Sequence, residues 1–178
     1  MRYPALIVTG LALALSACGI GGIGSAANGP CPKIGVLQDA SNFPVKDQAG
    51  NIRALARLNV AGNSPCAYDK SSTETSGFSS MRTVLTVQVA AARSGSARMT
   101  SITVPVVIAT ISADGLLTGR QKISMDVGFD PDGTGSEQEQ VEVQINYKGS
   151  GDADSHRIVV AFDLDRDEVL LNRSRQGR

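Results

Sequence analysis

The residues able to do chemistry are few, and most fall in three short stretches. Asp130-Pro131-Asp132-Gly133-Thr134-Gly135 sets acidic oxygens at alternate positions with a glycine sixth, the opening spacing of a loop that wraps a calcium ion. Such a loop needs a bidentate glutamate at its twelfth position and here has Val141, so a hairpin turn is expected. Asp130 and Asp132 remain the only metal-ligand candidates. Asp163-Leu164-Asp165-Arg166-Asp167 repeats the alternation but has Glu168 where the turn glycine belongs. It reads as a strand end with Leu164 inward and the carboxylates in water. Asp154-Ser155-His156 holds the three residue types of a hydrolytic triad, including the sole histidine. Consecutive residues cannot converge on one reacting carbonyl, and no Gly-x-Ser-x-Gly elbow is present, so a solvated loop is expected. No Walker loop, paired-glycine nucleotide fingerprint or Cys/His metal cluster occurs. The expectation is a protein without catalytic residues or a cofactor.

Composition points the same way. With 178 residues the chain is long enough for one folded unit and a tail. Its 17 basic and 17 acidic residues cancel, leaving no net field to favour a nucleic acid or an anionic bilayer. A hydrophobic share of 42% is that of a globular protein, whereas 4% aromatic residues and no tryptophan leave no stacking platform for sugars.

The first residues have the layout of a secretory signal. Met1-Arg2 is a short basic start, and Ala5 to Leu15 is an apolar run broken only by Thr9 and Gly10. That run is shorter than the roughly 20 residues a membrane-crossing helix needs. An uncut anchor from Ala5 through Ile23 would carry Gly19, Gly21 and Gly22 in its second half, which weakens a helix. Leu15-Ser16-Ala17-Cys18 resembles the lipobox of bacterial lipoproteins, a leucine and two mostly small residues before a cysteine. The resemblance implies cleavage before Cys18, a diacylglyceryl group on its thiol and acylation, such as by palmitate, of the new amino terminus. Two or more acyl chains anchor a protein durably. Gly19 is not the aspartate that retains enterobacterial lipoproteins at the inner membrane, so the resemblance implies the periplasmic face of the outer membrane.

If Cys18 carries lipid, Cys31 and Cys66 remain as an even pair, which in an oxidising compartment reads as a disulfide. A metal or a reactive thiol is less well supported, because the two are far apart in sequence with no histidine nearby. From Gly19 to Pro30 the Gly/Ala/Ser-rich chain reads as a flexible tether, and residues 31–178 as the domain.

Inside that domain apolar residues recur with a period of two. Leu85, Val87 and Val89; Ile102, Val104, Val106 and Ile108; Ile123, Met125, Val127 and Phe129; and Ile158, Val160, Phe162 and Leu164 each define one apolar face. Val141, Val143, Ile145 and Tyr147 alternate with Gln140, Glu142, Gln144 and Asn146 most cleanly. Lys33 to Leu37 and Ile52 to Val60 could add two strands, although Ala54 to Leu58 also tolerates a helix. A short helix is expected over Asp165 to Arg173. Turn signals separate these runs at Ser94-Gly95, Ala113-Asp114-Gly115, Pro131-Asp132-Gly133 and Gly149-Ser150-Gly151. About seven such strands predict an all-β, immunoglobulin-like sandwich, without the buried tryptophan of antibody domains. Pro105 cannot donate to a ladder, which predicts that its segment is an edge or a bulge.

Cys31-Pro32-Lys33-Ile34-Gly35-Val36-Leu37-Gln38-Asp39-Ala40 and Cys66-Ala67-Tyr68-Asp69 are similar to uncharacterised lipoproteins of alphaproteobacteria, a family that brings no activity with it. The expected function is therefore that of a non-enzymatic, lipid-anchored envelope protein that binds a protein partner. The alternative is a small-ligand or calcium module at Asp130 and Asp132.

Overall fold

The computed structural model describes residues 27–69, 78–95, 97–148 and 155–175. The signal segment, Cys18, the tether up to residue 26, the 149–151 turn and Asp154 lie outside the described residues. Ten strands are present: β1 (Ala27–Gly29), β2 (Lys33–Val36), β3 (Asn42–Lys46), β4 (Ile52–Asn63), β5 (Cys66–Asp69), β6 (Phe78–Arg93), β7 (Ser101–Ile111), β8 (Leu117–Gly128), β9 (Thr134–Lys148) and β10 (Arg157–Phe162). A 3-10 turn over Gln38–Ala40 and one helix, α1 (Arg166–Arg175), complete the described elements.

The strands form two sheets whose inner faces make one core, the sandwich that period-two patterning predicts. In the first sheet β6 is the spine. On one side β9 pairs with it from Phe78↔Lys148 to Ala92↔Thr134, and on the other β4 and β5 pair with it in succession. β4 and β5 therefore run as one long strand broken at Ser64-Pro65. The break is stitched to the spine: Ser64 donates its N–H to the Val84 carbonyl at 2.8 Å, and its Oγ accepts the Val84 N–H at 2.9 Å. β3 lies outside β4 and β1 outside β5. The second sheet has the order β2-β10-β7-β8, with β2 and β10 parallel and the other pairs antiparallel.

The core is the set of alternating positions seen in the sequence. Met81, Leu85, Val87 and Val89 of β6 face Val104, Val106 and Ile108 of β7, Met125 and Val127 of β8, and Ile158 and Val160 of β10. Across β6 and β9 the inward row is Leu85↔Val141, Thr83↔Val143 and Met81↔Ile145. Each buried aliphatic side chain contributes on the order of 2 kcal/mol from apolar burial.

Four sequence expectations need correction. Strands number ten among the described residues, because β1, β3 and β5 are three to five residues long and too short to display a period. The expected tether loses its last residues to β1, which pairs with Cys66 to Tyr68. Gly29 permits this, since a Cβ there would fall 2.6 Å from the Tyr68 ring. The helical alternative at Ala54 to Leu58 gives way to β4, whose Ala54, Ala56 and Leu58 alternate into the core.

Pro105 supplies the fourth. Its strand, β7, is interior, with β8 on one side and β10 on the other. The proline is tolerated because β10 ends at Phe162, opposite Val106. Its carbonyl accepts the Asp163 N–H at 3.0 Å, so its donor-less nitrogen faces the same side, just past the last ladder rung.

α1 closes one end of the sandwich. Asp165 and Glu168 form a capping box, the Glu168 N–H reaching Asp165 Oδ1 at 2.8 Å and the Asp165 N–H reaching Glu168 Oε2 at 3.2 Å. Asn172, 2% exposed, donates to the carbonyls of Asn42 and Asp39 at 2.6 and 3.2 Å. Beside it Arg173 pairs with Asp39 at 2.8 Å.

Candidate functional site

β2 has a neighbour on one side only among the described residues. Leu37 donates its N–H to the Val160 carbonyl at 2.9 Å, which directs the N–H groups of Gly35 and Leu37 toward β10. By the alternation of a strand, Ile34 and Val36 turn their backbone groups to the other, unpaired edge. A groove of about 410 Å³ runs along this strand, with Lys33 and Arg157 at one end and Leu37, Gln38 and Asp39 at the other. Gly35 and Val159 lie between, and a Cβ placed on Gly35 would meet nothing within 4 Å. The absent side chain leaves the strand open to an approaching backbone. Leu37 is 49% exposed at the groove's end.

The groove combines an unpaired strand edge, a bare glycine and apolar flanks between charged ends. That is the equipment for adding an extended segment to a sheet, in which main-chain hydrogen bonds give affinity and alternate side chains give selectivity. The free edge of β9 carries Glu137 and Glu139 in register with the core residues Val89 and Val87, and inward-facing charge discourages edge pairing. A second hollow of about 330 Å³ between β8 and β9 is bordered by Arg120 and Glu142.

Asp130 and Asp132 lie in the turn that links β8 to β9. Gly133 takes φ +85° and donates to the Asp130 carbonyl at 2.9 Å. Asp132 Oδ1 accepts both the N–H and the hydroxyl of Thr134 at 2.9 Å, so this carboxylate oxygen serves the turn. The backbone hydrogen bond from Thr134 holds the Asp132 carboxyl below its usual range, with the Thr134 hydroxyl adding to the effect. The turn is further fixed by Arg93, which donates to the carbonyls of Met99 and Pro131 and stacks over Phe129 at 5.9 Å. Among the described residues no three potential ligands from His, Cys, Asp and Glu converge.

His156 is 3% exposed, not solvated as its loop position suggested. It occupies the inward slot of an alternation that continues through Ile158, Val160 and Phe162, so the β10 pattern already held the signal. Ser155 beside it is exposed.

Asp163 and Asp165 have structural partners. Asp163 accepts from Lys122 at 2.5 Å and Arg120 at 2.9 Å across the outer face of the second sheet. The Lys122 hydrogen bond, aided by both positive charges, holds its carboxyl below the usual range. Leu164 packs against the core as expected.

Cys31 and Cys66 are joined in a disulfide with a Cα–Cα distance of 5.4 Å. Cys66 is fully buried, so the bridge pins the segment between β1 and β2 to the first sheet. Among the described helices none is long and apolar enough to cross a membrane. The chain matches no protein-family model, no characterised protein sequence and no solved structure.

Proposed function

We propose that this chain is a lipid-anchored protein of the bacterial cell envelope, without catalytic activity, that works by binding an extended segment of another envelope protein. The lipobox-like Leu15-Ser16-Ala17-Cys18 supports the anchor, on the periplasmic face of the outer membrane. The disulfide adds weak support for a compartment outside the cytoplasm. The observation that carries the binding role is the groove beside β2, where an unpaired edge runs past the bare Gly35. Lys33 and Arg157 place positive charge at one end of the groove, while Asp39 at the other is already paired with Arg173, and this asymmetry favours one direction of an incoming strand.

A photo-crosslinking residue at Gly35 tests this in intact cells. It should yield a discrete adduct with one envelope protein. Val36→Pro, which removes an outward-facing N–H without touching the β10 ladder, should abolish that adduct while the protein stays folded. Recovery of monomer alone at native expression would count heavily against the reading. Loss of Cys18 lipidation is read separately: an intact mass equal to the unmodified full chain would remove the anchor.

A further inference from the structure

Of the four exposed large hydrophobic residues among those described, two are consecutive: Leu116 at 66% and Leu117 at 63%. They stand where the turn Ser112–Leu116 hands β7 to β8, held by a Ser112 N–H bond to the Leu116 carbonyl at 2.9 Å and by Gly115 at φ +82°. A single exposed leucine is ordinary, but an adjacent pair on a rigid hairpin tip is an apolar protrusion.

The register of the second sheet says which end of the domain this is. Leu117 pairs with Ile111, Ile111 with Arg157, and Arg157 with Lys33. These four residues form one row across the sheet, about 15 Å wide at the usual strand spacing. Lys33 lies two residues after the disulfide-bound Cys31, and β1 begins at Ala27. The chain from Cys18 therefore enters the domain at the end that carries the leucine tip. Nine peptide links separate Cys18 from Ala27, a reach of at most about 30 Å. β8 runs away from this end for 12 residues, about 40 Å, so a lipid on Cys18 cannot hold the opposite end against the bilayer as readily.

We propose that the β7–β8 hairpin rests on the membrane surface, with Leu116 and Leu117 seated at the headgroup–acyl boundary as a second contact that orients the domain. The inference rests on the anchor reading for its biological setting. Asp114 at the turn limits the depth to the interface. The Leu37 and Leu170 end, with α1, then points into the periplasm.

The chain has no tryptophan, so Leu116→Trp and Leu117→Trp each create a unique probe, and Leu170→Trp on α1 a control at the other end. Protein extracted from membranes is weighed intact and reconstituted into phosphatidylethanolamine–phosphatidylglycerol vesicles containing brominated acyl chains. Should Cys18 prove unmodified, its thiol, the one left outside the disulfide, is coupled to a maleimide lipid to supply the same tether. Quenching of about half or more is expected at both tip positions, as for a group seated roughly 5–10 Å into the interface, with little at Leu170→Trp. Folded protein whose tip tryptophans are quenched no more than the control would overturn the proposal. A lipidated chain with an unquenched tip removes only the tip contact. A quenched tip on a natively unmodified chain removes only the anchor.

Discussion

The Gly128 carbonyl occupies the space that a Cβ on Gly135 would need. These two residues face each other where β8 and β9 leave their shared turn for different sheets, and only the missing side chain allows the backbones so close. The obstruction is backbone, which cannot rotate aside.

Gly135→Ala should therefore destabilise the domain by about 2 kcal/mol or more, the scale of an overpacked interior site. Urea unfolding followed by circular dichroism would read this as a lower midpoint with an unchanged slope. Gly95→Ala, where a Cβ meets nothing within 4 Å, is the matched control and should leave the midpoint within about 0.5 kcal/mol of wild type.

Reduction of the Cys31–Cys66 bridge should lower stability by about 4 kcal/mol, the loop-closure value for the 35-residue separation. Thermal melts with and without a reductant would measure it. The bridge holds β1 and the approach to β2, so proteolysis of the reduced protein should begin before residue 66. Cleavage elsewhere first would mean that the N-terminal segment is held by its strand pairing alone.

Acid should weaken the fold through three surface carboxylates. Asp47, bonded first by the Asn51 N–H, Asp132 by that of Thr134, and Asp163 by Lys122 all sit below the ordinary value of 3.8. A carboxyl with a depressed native pKa binds its proton more readily in the unfolded chain. Its contribution is complete above about pH 5 and is lost as pH falls through 3.8 toward the native values. Midpoints measured between pH 5 and pH 2 should fall with acidification, and Asp163→Asn should make that fall shallower. A fall as steep as wild type would show that the Lys122 and Arg120 contacts with Asp163 contribute nothing to native stability.

The long strands were legible because one face of each is buried. Val141 to Ile145 alternates cleanly for that reason, and His156 belonged to the β10 alternation although its loop-like neighbours hid it. What could not be read was pairing. Period two says that Val104 and Val106 face inward but not that β7 lies between β8 and β10, so Pro105 looked like an edge marker. The Gly35 groove was equally out of reach, because Lys33 to Val36 is a plain four-residue strand until its neighbours are known. The two cysteines, by contrast, are legible as a pair, and the structure joins Cys31 to Cys66.

The parallel pairing of β2 with β10 sets an order of events. Lys33 and Arg157, its first paired residues, lie more than a hundred positions apart, so β2 is made early and has no strand to join until nearly the whole domain has been synthesised. The groove is floored by both strands and exists only once the last one has docked. A half-made chain has no such groove, so any segment that docks at Gly35 can be taken up only by the finished domain.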